Sequence, residues 1–123
     1  MATPKIFEME YKFCLILWEN EPIRSRELAA LCRERLGWKP STTYTVIRRL
    51  SDRGVIKNEH MIVTSLVSKD EAQASEIDEF VEEKFAGSLP AFFAAFSRRQ
   101  NLTDAELDEI QKMIDRARKE GGE

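Results

Sequence analysis

Apolar positions recur along the chain at two spacings, and these divide it into elements. In FEMEYKFCLILWEN, residues 7–20, Phe13, Leu17 and Trp18 give the i, i+3, i+4 stripe of an amphipathic helix, with Glu10 and Cys14 a turn away. Glu21-Pro22 breaks that pattern, and Ile23 and Arg24 leave room for one short strand. Ser25 is the expected N-cap of a second helix through Leu36, with Leu28, Leu31 and Cys32 inward, and Gly37 stops it. Trp38-Lys39-Pro40 reads as extended, because the residue before a proline avoids the helical region. Ser41 then caps a third helix that runs to Arg53 and ends at Gly54. VIKNEHMIVTSLV is rich in β-branched residues around a polar centre and predicts a tight hairpin, with strands near 55–58 and 61–65.

The second half is helical throughout. Ser68 with Glu71 forms the pattern of a capping box for a helix to about Phe85, with Ile77, Phe80, Val81 and Phe85 as its stripe. Ala86-Gly87 ends that helix, Ser88 caps the next, and Pro90 falls in its first turn, where a missing N–H costs little. SLPAFFAAFSRRQ is apolar almost all round. Thr103 with Glu106 is a second capping box, and Leu107, Ile110 and Ile114 are the inward positions of a last helix to about Lys119. The expected fold is therefore mainly α with a small antiparallel β-hairpin. It is a winged helix-turn-helix domain over residues 1–67, followed by a three-helix region over 68–123, with the third helix in the recognition position.

Charge sharpens this division. Residues 1–67 carry 11 basic and 8 acidic side chains, residues 68–123 carry 8 and 14, and the chain of 123 residues has a net charge of -3. Within residues 21–57 there are 9 basic against 4 acidic side chains. A basic segment joined to an acidic one suggests that one part meets a polyanion, although charge alone fits equally well with arginines that merely solvate exposed faces. Cys14 and Cys32 lie in helical patterns without CxxC spacing and read as buried free thiols of a cytoplasmic chain. His60 is the single histidine and reads as a turn residue. No metal site, cofactor, glycine-rich phosphate loop or nucleophile motif is expected, and an enzyme is not indicated. No apolar run is long enough for a membrane span and no secretory signal is evident, so no stable membrane association is expected.

Projected at about 100° per residue from Ser41, the third helix turns Thr43, Val46, Ile47 and Leu50 to one side. Ser41, Thr45, Arg48 and Asp52 point the other way, flanked by Thr42 and Arg49 on one edge and Tyr44 on the other. Hydroxyls can pair with base edges, threonine methyls suit thymine methyls, and arginine can meet guanine or phosphate. Lys39 and the helix N-terminus are placed for phosphate. An ordinary surface helix with capping hydroxyls is the competing reading of this segment taken alone.

EYKFCLILWE, RELAALC, GWKPSTTYTVIRRLSDRGVI, SLVSKDE and GSLPAFFAAF follow one another in register, and nearly the whole chain resembles the penicillinase-repressor (BlaI/MecI/CopY) family of bacterial winged-helix repressors. That resemblance implies a homodimer whose winged helices read the two halves of an inverted repeat in double-stranded DNA, typically built around TACA and TGTA. It places Lys39, Ser41, Thr42, Thr45 and Arg49 in the DNA-contacting helix, and the helical projection adds Tyr44 and Arg48. It also implies that the C-terminal helices interlock, and Phe80, Phe85, Leu89, Phe92, Phe93 and Phe96 are the expected dimerisation residues. The surplus of aromatic residues over what a lone helical tail can cover points the same way. Packing of Phe92, Phe93 and Phe96 inside one chain is the alternative.

The chain departs from the family pattern in four places. The hairpin KNEHMIVT is short and lacks a basic tip, with Glu59 where a phosphate contact is expected, which leaves room for a protein-interaction module that has lost operator binding. No cysteine follows Cys32, which argues against the copper-sensing motif of some members. The β-lactam-responsive members are released when a sensor-linked protease triggers cleavage at an Asn-Phe bond. The corresponding candidate bond here is Ala95-Phe96, so the inducing signal is open. Thr43 stands on the core face where the family prefers valine.

Overall fold

The described residues, 3–99 and 101–121 of a computed structural model, contain six helices and three short strands. They run α1 (Glu8–Asn20), β1 (Ile23–Arg24), α2 (Ser25–Leu36), α3 (Pro40–Asp52), β2 (Ile56–Glu59), β3 (Ile62–Ser65), α4 (Lys69–Phe85), α5 (Leu89–Arg99) and α6 (Asp104–Glu120). This is the predicted winged helix-turn-helix followed by three helices. The chain forms two compact units, Met1–Glu79 and Phe80–Glu123.

In the first unit the strands make one antiparallel sheet in the order β1-β3-β2, with Val63 paired to Ile23 on one side and Asn58 on the other. Phe13 and Leu17 of α1, Leu28 and Cys32 of α2, Val46, Ile47 and Leu50 of α3, and Val55, Ile56 and Val63 of the hairpin form the core. Polar ties fix the sheet to α1. The Trp18 Nε1–H donates to the Val67 carbonyl at 3.0 Å, and the Glu21 carboxylate accepts from the Ser65 N–H at 2.7 Å and from its hydroxyl.

Element boundaries differ from expectation by single residues, each for a local reason. α3 begins at Pro40 rather than after Ser41, because proline's fixed φ suits the first helical position, where no N–H is needed. Lys39 is the extended N-cap and Ser41 caps nothing. Ser25 is likewise the first residue of α2, its N–H donating to the Met61 carbonyl at 2.8 Å, and Gly37 closes that helix with φ 72°. α1 starts at Glu8, with the Glu10 carboxylate accepting the Phe7 N–H at 2.9 Å. In the hairpin Glu59 pairs with Ile62, so His60 and Met61 form a two-residue turn with φ of 52° and 66°. Both residues being left-handed marks a type I′ turn, whose twist matches the strands and which glycine or asparagine would adopt with less strain.

Thr43 is fully buried on the core face of α3, and its hydroxyl makes no well-formed hydrogen bond although it lies near enough to influence the Cys32 thiol. An unmet buried hydroxyl costs about 1–3 kcal/mol. Thr43→Val is therefore expected to raise the unfolding free energy by about 1 kcal/mol, read from the midpoint of urea denaturation at unchanged slope.

Both cysteines are buried free thiols. Burial, reinforced by the Glu10 carboxylate and partly relieved by Arg53, pushes the Cys14 thiol up from 9.0 to about 12. Burial also raises Cys32. The unfolded chain releases the Cys14 proton near pH 9 while the folded chain holds it, so this stability is intact below pH 9 and is lost as pH rises toward 12. Between pH 8 and pH 10 the wild type is expected to lose about 1.4 kcal/mol more than Cys14→Ala, measured by denaturation at the two pH values.

The second unit is held by its own caps and rings. Ser88 accepts the Ala91 N–H at 3.1 Å, and Thr103 and Glu106 form the expected reciprocal box, at 2.9 and 3.1 Å. Phe85 and Phe92 meet edge to face at 5.7 Å, and Phe80 and Phe96 each stand against Phe92 within 6.3 Å. Among the described residues of this unit Val81 is the one buried hydrophobic side chain. The stripes expected to point inward, Phe80 on α4 and Leu107 and Ile114 on α6, are instead exposed, as is Ile77 one turn earlier on α4.

Candidate nucleic-acid interface

The lead-in to α3 is anchored by Trp38, which is buried and stacks on Phe13 with ring centroids 6.3 Å apart. That anchor carries Lys39 out to the surface beside the first turn of α3, where proline starts the helix. Thr43, Val46, Ile47 and Leu50 face the core, as the projection requires. The opposite face brings together Ser41, Thr42, Tyr44, Arg48 and Arg49, all exposed, with Thr45 half-buried among them. Thr45 lies deeper than the projection suggests.

Charge distinguishes this face from an ordinary solvated helix. Among the described residues Lys39, Arg48 and Arg49 make no ion pair, while Arg35 is paired to Glu19 at 2.9 Å and Lys57 to Glu59 at 3.4 Å. Arg53, which the local sequence groups with the other three cations, turns away from this face. It pairs with the buried Glu10 carboxylate and donates to the Lys5 carbonyl at 2.8 Å. The wing adds no net charge of its own, and its tip presents Met61, 74% exposed. Arg24 and Arg26, exposed and without ion pairs among the described residues, supply cations next to the wing instead. Arg24 sits opposite Ile62 in the sheet, and the Ser25 N–H reaches the Met61 carbonyl. Reading α3 alone omits these two, since only the β1–β3 pairing brings them to the wing.

In the second unit Phe80, Leu89, Phe93 and Phe96 are exposed, while Phe85 and Phe92 are half-buried in the ring cluster. The Ala95-Phe96 bond lies in the interior of α5, so a protease would have to unwind that helix to reach it. Among the described residues no group of three or more His, Cys, Asp or Glu side chains is arranged to hold a metal ion, and no helix is long and apolar enough to cross a membrane.

A core-packed helix that presents hydroxyls and unpaired cations, set in a helix-turn-helix with a β-hairpin wing, defines a winged-helix protein. The profile described as penicillinase repressor matches residues 6–116, and the chain belongs to that family of transcriptional repressors. It is also 24% identical over 116 residues to an uncharacterized 16.5 kDa protein in the ptsI 3′ region of Latilactobacillus sakei, covering 91% of this chain and 80% of that protein.

Proposed function

We propose that the protein is a homodimeric repressor that binds an inverted-repeat operator of the TACA/TGTA type through α3. The observation that carries this reading is the outer face of α3, where Lys39, Arg48 and Arg49 keep their charge unspent beside Ser41, Thr42, Tyr44 and Thr45. A protein-binding face has little use for unpaired cations, whereas each phosphate contact releases counterions. Residues 1–67 act as the DNA-binding domain and residues 68–123 as the dimerisation domain, joining two half-sites. Phe80, Phe85, Leu89, Phe92, Phe93 and Phe96 form the joint, covering rings that a single copy leaves exposed. The short wing contributes through Arg24 and Arg26 rather than through its tip.

Release follows from any event that separates the copies or alters their spacing. Cleavage at Ala95-Phe96 by a sensor-linked protease would do so, but the helical setting of that bond does not favour it over a ligand or partner signal.

The test is fluorescence anisotropy with a TACA/TGTA inverted-repeat duplex and a scrambled control over a salt series. Selective binding is expected, with log affinity falling by about 0.9 per phosphate contact for each unit of log salt. The charge-neutral wing favours a second reading, in which the winged helix has become a protein-interaction module. Equal, weak binding to both duplexes, with random-sequence selection recovering no site, would establish that reading instead.

A further inference from the structure

Arg53 stands at the C-cap of α3, and its N–H closes the last turn on the Arg49 carbonyl at 3.1 Å. Its side chain leaves the helix and enters a polar clasp built by the N-terminal segment. Nη1 donates to the Lys5 carbonyl at 2.8 Å, Nη2 pairs with Glu10 Oε2, and the guanidinium carbon stands 5.1 Å from the centre of the Phe7 ring. Glu10 is buried, and its other oxygen accepts the Phe7 N–H at 2.9 Å. Lys5 is itself held, through Nζ, by Glu79 at 2.8 Å.

We infer that Arg53 is a positioning residue rather than a DNA ligand, and that residues 5–10 form a clasp that sets the angle at which α3 presents Arg48 and Arg49. The inference rests on the operator-binding reading above. The inner face of α3 packs through Thr43, Val46, Ile47 and Leu50, and apolar packing is non-directional, so it tolerates a small roll of the helix. A charge-assisted, two-armed guanidinium contact does not, because its donors have fixed directions. The clasp closes on the residue one turn beyond Arg49, through a direct backbone bond, so loosening it frees the end of the helix that carries both arginines. The N-terminal segment thereby becomes part of the reading head although it presents nothing to DNA.

Two substitutions separate positioning from contact, because the two roles predict opposite signs for Glu10→Gln. Glu10→Gln keeps the size and the acceptor for Phe7 but releases the Arg53 charge. If Arg53 positions α3, Glu10→Gln and Arg53→Met each weaken operator binding about tenfold, with a log–log salt slope parallel to the wild type. Arg48→Met, a loss of contact, flattens that slope by about 0.9 for each phosphate given up. If Arg53 were a phosphate ligand held in check by Glu10, Glu10→Gln would bind more tightly with a steeper slope, which overturns the inference. Unchanged affinity in both variants overturns it too.

Thermal melts verify that each variant is folded. Amide hydrogen exchange over residues 50–54 of the free protein reads the clasp without DNA. Exchange about tenfold faster in Glu10→Gln is expected from the loss of one charge-assisted contact, and an unchanged rate counts against the clasp. If the wild type fails to prefer operator over scrambled duplex, the DNA reading fails, and the exchange result alone decides whether the clasp holds α3.

Discussion

Phe93→Asp is expected to leave a folded monomer that no longer holds the operator. Phe93 is 42% exposed in the single chain, on the same side of α5 as Leu89 and Phe96, so the substitution removes little from the fold of its own unit. In a two-fold joint the same ring is lost twice. At about 25 cal/mol per Å² of apolar area, burial of the remaining exposed part of each ring contributes about 1–2 kcal/mol. The greater effect is the carboxylate. Two aspartates brought into an apolar joint, each without a partner, cost several kcal/mol apiece, enough to move a micromolar dimer beyond reach. The consequence for DNA follows from tethering, since the second half-site contact is no longer intramolecular and the avidity of about 10²–10⁴ is lost. Sedimentation equilibrium would show a monomer with an unchanged helical circular-dichroism spectrum. A variant still dimeric at low micromolar concentration would sink the assignment of this face.

Local chemistry made most of the fold legible in advance, and the exceptions share one cause. Capping boxes at Ser68/Glu71 and Thr103/Glu106 and the glycine stop at Gly37 involve residues within a turn of one another, and the structure has all of them. The inward and outward faces of α3 were likewise visible from periodicity alone. What escaped was long-range polar pairing. Arg53 looks like a fourth member of a surface cluster because its partner, Glu10, lies 43 residues away on α1. The spacing 10-13-14-17 puts Glu10 on the buried face of α1, but nothing in it names Arg53 as the partner. Arg24 shows the same limit, since only strand pairing sets it beside the wing. The stripes on α4 and α6 show the converse: periodicity tells which residues share a face, not whether one copy of the chain supplies enough surface to cover it. Leu107 and Ile114 share a face and remain in solvent.

Arg49→Ala should produce the largest loss of operator affinity available from a single exposed side chain. Arg49 lies on the outer face of α3, makes no ion pair among the described residues, and is not used by the core, so stability should change by less than about 0.5 kcal/mol. An arginine that meets a base edge or phosphate contributes about 1–3 kcal/mol, and a two-fold operator engages it twice, so each dimer loses about 2–6 kcal/mol. The salt dependence tells which contact was lost. A phosphate contact flattens the log–log slope by about 0.9 per half-site and weakens specific and scrambled duplexes alike. A guanine contact leaves the slope nearly intact and reduces the preference for operator over scrambled DNA. The comparison with Arg48→Ala adds a second test, because the two arginines leave the helix about 100° apart and cannot both point at the same groove floor. One should behave as a base reader and the other as a phosphate anchor. Retention of full affinity by both single variants would remove α3 as the reading element and return the unpaired cations to the role of surface charge.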